Sequence, residues 1–437
     1  MNGFGTEVSN QYVLELDKQV FHSWSVQEAA PPIAIAGAQG CNLWDFDGKQ
    51  YLDFSSQLVN ANIGYQHPKV IDAIKTQAES LVTIAPATAN LTRGEAAKRI
   101  LDRAPDSFKK VFFTNAGADA NENAIRMARQ FTGRDKVLSA YRSYHGNTGS
   151  AIAATGDFRR VPNEYSRGHV HFFNPYLYRT EFNAQTEEQE CERALQHLKR
   201  VIECEGPEAI AAILLETIPG TAGFLLPPEG YLQGVRELAT EHGIQLIFDE
   251  VMVGFGRTGR WFAFEHFNVV PDLITFAKGV NSGYVPAGGV VVSEAISECF
   301  QRNFFTGGLT YSGHPLAMSA IVATLDAMEE EGIVRYADEV GNNVLGPALL
   351  ELMEKHETVG DIRGKGMFWA LELVEDRATR EPLSNSKIAL LKSKLTEKGL
   401  LTFIVNNRIH VTPPLIIKPN EIAQGVAIIS QVLAEFD

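Results

Sequence analysis

Apolar residues along the chain fall into two alternating patterns: short continuous runs, and stretches in which every third or fourth position is apolar. Runs rich in Ile, Leu, Val and Phe occupy 111–113, 136–138, 211–215, 245–248 and 273–277. Runs of that length, set between helical patterns, predict strands buried on both faces in a parallel sheet. Helical spacing predicts helices over 68–81, along the face Ala120, Ala124, Ile125 and Ala128, over about 230–242 behind Pro227-Pro228, and over about 315–331. The last of these reads as amphipathic and as the bridge out of a large domain. The acidic stretch 173–206 reads as a surface loop followed by an amphipathic helix. Strand, helix and strand over 211–248, with Gly243 closing the helix, make a βαβ unit with a right-handed crossover.

The two ends of the chain are patterned differently. Residues 1–40 read as an arm broken at Pro31-Pro32, and 42–54 alternate around Asp47-Gly48 as a hairpin. Toward the C-terminus a strand is expected within 359–373, a helix over 388–398 closed by Gly399, and two short strands around Asn406-Asn407. A last helix, capped by Asn420, carries Ile422, Val426, Ile429 and Leu433 on one face. The expected fold is therefore α/β: a large domain over 61–330 with a mostly parallel central sheet flanked by helices, and a smaller α+β domain from both chain ends (1–60, including the arm, and 331–437).

Chemistry gathers where the predicted strands end. The run at 245–248 ends on Asp249-Glu250, that at 273–277 on Lys278, and that at 211–215 on Glu216, before the Gly220–Gly223 loop, which reads as flexible. Open sheets of this kind bind ligands beyond the carboxyl ends of their strands. A carboxylate and a lysine there also fit a structural ion pair. After 111–113 comes a small-residue turn, Thr114 to Asp119, opening into a helix, an arrangement that aims free N–H groups at an anion. An ordinary strand-to-helix turn would look the same. Ser143-Tyr144-His145-Gly146 follows 136–138, and glycine-rich loops lie at 283–289 and 307–313.

Composition narrows the function classes. At 437 residues with 45% hydrophobic and 21% charged positions, the chain can bury a large core. A net charge of −14 argues against nucleic acid or an anionic membrane surface as partner. Cys41, Cys191, Cys204 and Cys299 are scattered without a CxxC or a zinc-like His cluster, which predicts reduced thiols, no metal site and a cytoplasmic location.

In this order the motifs resemble the class III pyridoxal-phosphate aminotransferases of fold type I. WDFDGKQYLDF, the turn at 114–119, SYHG, FDEVMVGFGRTG, TFAKG and TYSGHPLA carry the resemblance over nearly the whole chain. SSQLVNANIGYQHP and GGLTYSGHPLA look most like the omega-amino-acid:pyruvate group, which includes taurine:pyruvate aminotransferases. The resemblance implies pyridoxal 5'-phosphate as cofactor, linked to Lys278 as a Schiff base, with Lys278 afterwards moving a proton at the substrate carbon that bears the amine. It implies that Asp249 pairs with the pyridine nitrogen, that Val251 and Tyr144 cover the two ring faces, and that Glu216 belongs to the polar network near the phenolic oxygen. Gly117 and Ala118 would hold the phosphate through backbone N–H groups, His145 would belong to the cofactor-binding set, and Thr310 would reach the phosphate of a partner subunit. That makes a homodimer with shared active sites, with pairing into tetramers left open.

The chain departs from the family pattern at Ala116 and Ala118, where hydroxyl residues are usual, at Asp119, where glutamate is usual, and at Thr217, where proline is common. Looser retention of the phosphate follows as an expectation. Arg408 in NNRIHVTPP is the candidate grip for a substrate carboxylate or sulfonate, and a structural arginine fits equally. Trp24 in HSWS resembles an aromatic wall of the substrate pocket, and packing alone would also explain it. The expected reaction is a ping-pong transfer from an omega-amino acid, taurine or related amine to pyruvate or another 2-oxo acid. One alternative keeps the cofactor but changes the outcome, to a lyase or aminomutase acting on an amino alcohol phosphate or amino-aldehyde. Another is a nucleotide-binding dehydrogenase, against which stands the missing G-x-G-x-x-G after an early strand.

Overall fold

A computed structural model describes residues 8–28, 32–163 and 166–437; of the Pro31-Pro32 break, Pro31 lies outside the described residues. The central sheet has seven strands in the order Phe108–Thr114, Gly288–Ser293, Leu273–Phe276, Gln245–Asp249, Ile210–Glu216, Lys136–Ala140, His169–Phe172. All neighbours pair in parallel except Gly288–Ser293, which runs antiparallel to both strands beside it. The continuous apolar runs sit where burial on both faces demands them, and every residue of Ile210–Glu216 is buried.

The antiparallel strand lies where the sequence suggested only a glycine-rich loop. Gly288 and Gly289 start it because the sheet leaves no room for side chains: a Cβ on Gly289 would come 2.5 Å from the Phe276 ring. Helix Pro315–Glu330 corrects a second expectation. It is not amphipathic but buried almost all round, since it packs against Pro68–Ser80, Leu91–Leu101 and the turn Lys278–Asn281 at once. The loop 217–223 is buried rather than loose, with Gly223 N–H donating to Gly220 O and Phe224 N–H to Pro219 O.

Both chain ends build smaller sheets. Ile35–Gln39, a strand the arm concealed, pairs with the hairpin strand Asn42–Asp45, which pairs in turn with Gln50–Asp53, and Leu400–Leu401 then adds to that strand in parallel, with Leu400 opposite Leu52. The second sheet is Val359–Lys365, Phe368–Asp376, Arg408–Val411 and Phe403–Val405, with the short Glu381–Pro382 also paired to Phe368–Asp376, so 359–373 holds a turn at Gly366 and parts of two strands. The last helix, Pro419–Leu433, starts earlier than expected. Lys418 is its cap, and Asn420 lies inside the first turn. Among the described residues no helix is long and apolar enough to cross a membrane, and no group of three or more His, Cys, Asp and Glu could hold a metal ion.

Candidate active site

Three adjacent parallel strands deliver their last residues to one end of the sheet. Glu216 lies in register with Asp249, and Asp249 with Thr275, so Glu216, Asp249 and the Lys278 just beyond share one edge. Lys278 sits at φ 45 on the turn Lys278–Asn281, a conformation that a long side chain adopts at a cost.

Asp249 is buried and held from one side. Its Oδ2 accepts from Asn121 Nδ2 at 2.7 Å and from His145 Nδ1 at 2.8 Å, while Oδ1 accepts only from Val251 N–H at 3.0 Å among the described residues. His145 therefore carries its proton on Nδ1. Asn121 is fixed in turn: its Oδ1 accepts from Thr275 Oγ1 at 2.7 Å, and its Nδ2 also donates to His145 O at 2.8 Å. Oδ1 keeps acceptor capacity toward the cleft. Glu216 accepts from Tyr144 N–H at 3.0 Å and Gly220 N–H at 2.7 Å, and burial, more than the opposing His145, moves its pKa upward.

Lys278 makes no hydrogen bond or ion pair with any described residue's side chain at contact distance, although solvent partly reaches it. Burial lowers its ammonium to about 8; Asp249 and Glu216 oppose that shift, and Arg159 and Arg257 add to it. The geometry is that of an accessible amine, not of a closed ion pair.

Helix Gly117–Thr132 begins beside these groups with no side-chain cap at Ala116, and its first intrahelical bond among these residues runs from Ala120 N–H to Ala116 O. The N–H groups of Gly117 and Ala118 are thus left for a ligand. Gly117 has to be glycine, because a Cβ would stand 2.8 Å from Val251 Cγ1. Tyr144 lies under Trp24, edge-on at 6.3 Å, and the Arg159 guanidinium lies 3.7 Å over the Tyr144 ring.

The sequence profile described as Aminotransferase class-III matches residues 24–433. The chain belongs to the class III aminotransferases. It superposes at a TM-score of 0.95 on the taurine:2-oxoglutarate aminotransferase of Bifidobacterium kashiwanohense, solved in complex with PLP and glutamate, at 43% identity over 98% of each chain. It is 30% identical to the taurine–pyruvate aminotransferase of Bilophila wadsworthia over 95% of each chain. It is 33% identical to the putrescine–pyruvate aminotransferase of Pseudomonas aeruginosa over 91% of this chain and 90% of that one.

The aminotransferase thus uses pyridoxal phosphate and has the fold type I architecture. Its own residues fit that cofactor: an uncapped helix start for the phosphate, Val251 packed against Gly117 at that helix start, a carboxylate oxygen with spare capacity, and an amine. Thr310 stands apart, exposed on the loop after Arg302, and nothing in the single chain brings it to this cleft. Arg408 lies against the loop 217–223 that follows Glu216. Its stem rests against Gly223, where any Cβ would collide with it, and its Nε has no partner. Neighbouring Arg363 takes Asp361 at 2.5 Å and Glu372 at 2.8 Å, whereas Arg408 pairs with no carboxylate among the described residues.

Two site residues escaped the sequence reading. Asn121 had a signal: it is a polar residue in the stripe 121, 124, 125, 128 that is otherwise apolar. Arg159 had none, because it follows a helix and a turn with no periodicity. Glu250, adjacent to Asp249, turns the other way. It is fully buried and accepts from Thr217 Oγ1 at 2.6 Å, Ala263 N–H at 2.8 Å and Phe264 N–H at 3.1 Å. Thr217 therefore supplies a donor that the family's common proline lacks. Burial raises Glu250 to about 7 against those donors. Glu250→Gln is expected to lower stability by about 1–3 kcal/mol in denaturant titrations, because its amide must confront one of the two backbone N–H groups.

Proposed function

We propose that this aminotransferase moves an amino group from an omega-amino acid, taurine or a related amine to pyruvate, 2-oxoglutarate or a similar 2-oxo acid by a ping-pong mechanism. The observation that carries this reading is the junction of Lys278, Asp249 and Glu216 on one sheet edge, with Asp249 Oδ1 and the Lys278 amine both free to engage a ligand. When bound, pyridoxal phosphate supplies the aldehyde that takes up the amino group and the ring that stabilises the electron pair left by C–H cleavage. Lys278 Nζ would take the proton from the substrate carbon that bears the amine and deliver it to the cofactor carbon joined to the same nitrogen, a task suited to an amine whose pKa burial lowers to about 8. Asp249, oriented by Asn121 and His145, would keep a proton on the ring nitrogen. Glu216, fixed by two backbone donors, would serve the phenolic oxygen. Gly117 and Ala118 would hold the phosphate, and Val251 and Tyr144 would cover the ring.

An acid-bearing substrate is favoured by Arg408, a largely desolvated guanidinium whose pKa burial lowers and whose only carboxylate neighbour, Glu372, is already paired with Arg363 and Arg179. Arg159, which stacks on Tyr144, is already taken by Asp157 through Nε and Nη2, which leaves Arg408 as the candidate grip. The relatives' printed activities on taurine with pyruvate or 2-oxoglutarate support the same substrates. Exposed Thr310, Tyr311 and Phe304 support a homodimer in which Thr310 reaches the partner's phosphate, and dimers can pair further. Nothing in the described residues draws the chain toward a membrane, and a cytoplasmic location is the reading we adopt.

Enzyme loaded with cofactor and offered taurine, beta-alanine, putrescine and 1-phenylethylamine against pyruvate and 2-oxoglutarate should release alanine or glutamate with at least one donor. No amino acid product from any pair would reject transfer. Arg408→Gln should raise KM for the 2-oxo acid by about tenfold to a hundredfold, with the KM of an uncharged amine unchanged.

A further inference from the structure

Arg257 is the largest side chain buried completely in the protein, and no carboxylate pairs with it among the described residues. Its fork reaches four acceptors instead. Nη1 donates to Pro413 O at 2.6 Å and Met367 O at 3.1 Å, and Nη2 donates to Asn62 Oδ1 at 2.7 Å and Ser56 Oγ at 3.2 Å. Met367 N–H returns a bond to Arg257 O at 3.0 Å. A buried guanidinium with no carboxylate in contact is costly even with the buried Asp53 attracting it from nearby, and here it joins the large sheet's loop to segments that adjoin both small sheets.

What it holds leads back to the amine. Asn62, bonded by Arg257 on one side and donating to Phe255 O at 2.8 Å on the other, packs so closely on Gly279 that a Cβ there would overlap its Nδ2. Gly279 is the residue after Lys278. Along the same segment, Ile63 N–H donates to Ser282 Oγ at 3.0 Å, and Asn60 fills the space beside Gly283. The segment is itself strained: Ser56, Gln57 and Val59 have φ of 47, 62 and 59, and Ser56 Oγ accepts from Arg257 while donating to Thr412 O. Non-glycine residues stay in that region only where surroundings over-determine them, and three in four positions mark a segment pressed into place.

We propose that Arg257 is a positioning residue for amino transfer: its guanidinium clamps residues 56–62 against the turn at 278–283, and so fixes the left-handed conformation that presents Lys278 to the cleft. The proposal rests on Lys278 being the residue that carries the cofactor. The clamp also brings a fixed positive charge to the neighbourhood of Lys278, where Asp249 and Glu216 act in the opposite sense, Arg159 in the same sense, and His145 bonds Asp249.

Charge and clamp separate by mutation of the cofactor-loaded enzyme. Arg257→Lys keeps the charge but cannot reach four acceptors, and Asn62→Ser keeps the guanidinium but removes the contact with Gly279. Both should lower kcat by about tenfold or more with KM within about twofold, while the pH midpoint of the cofactor's visible absorption stays within about 0.3 unit of the parent. Arg257→Met, where it folds, should lower kcat equally and raise that midpoint by about half a unit or more, since a nearby cation no longer disfavours protonation. Folded, loaded Arg257→Lys and Asn62→Ser proteins with kcat within twofold of the parent, and only a lower melting temperature, would overturn the proposal. A parent whose visible band survives Lys278→Ala would instead remove the premise about Lys278, whatever the clamp variants do.

Discussion

Lys278→Ala is expected to abolish turnover, by at least about three orders of magnitude in kcat, and to remove the visible absorption of the lysine-bound cofactor while the protein still folds. On the proposed role of Lys278, two separate contributions would be lost together: the covalent attachment and the positioned base. Folding should survive, because the amine forms no ion pair whose loss would strand a buried charge, and alanine bears the positive φ no worse than lysine. The amine also sets a pH dependence. Burial depresses it to about 8, and only the deprotonated form attacks an aldehyde. The rate at which cofactor-free enzyme captures pyridoxal phosphate should therefore rise with pH and level off above about 8, well below the 10.5 of an ordinary lysine. A rate still climbing at pH 9.5 would contradict that surrounding.

Asp249→Asn is expected to lower kcat by about a thousandfold without changing the volume of the site. The geometry dictates why an isosteric amide fails. Asn121 Nδ2–H and His145 Nδ1–H both point at one oxygen, so the amide must keep its own oxygen there. Its NH2 would then face Val251 N–H and, in the proposed role, the ring nitrogen, where acceptors are needed. Affinity for the cofactor should weaken, measured by equilibrium dialysis of the loaded protein. Equal kcat in the variant would show that ring protonation does not depend on this carboxylate.

The strands that carry the site were legible because each is a continuous apolar run stopped by a charge, as in 211–216 and 245–249, whereas the parallel edge strand His169–Phe172, its apolar run broken by His169 and His171, was not. What the pattern could not convey was pairing between distant polar groups. Asp249 and Glu250 look equivalent in sequence, yet one faces the cleft and the other closes onto Thr217, Ala263 and Phe264. Alternation along the strand permits that, but only the folded loop at 262–264 decides it. Arg257 was visible within FGRTG without any indication that it would be wholly enclosed, since a charged residue in a glycine-rich block ordinarily reads as exposed. Glycines misled in the other direction. At 288–289 they signalled a loop, whereas there they let a strand approach Phe276.

The pairing of Leu52 with Leu400 has a consequence for biosynthesis. A ribosome adding roughly 5–20 residues per second needs roughly 20–70 s to make the intervening stretch. For that interval the first hairpin waits without its last strand, its apolar edge open to chaperones or to a neighbouring nascent chain. Translation speed downstream, more than the strength of the hairpin itself, should govern how much of the newly made polypeptide escapes aggregation.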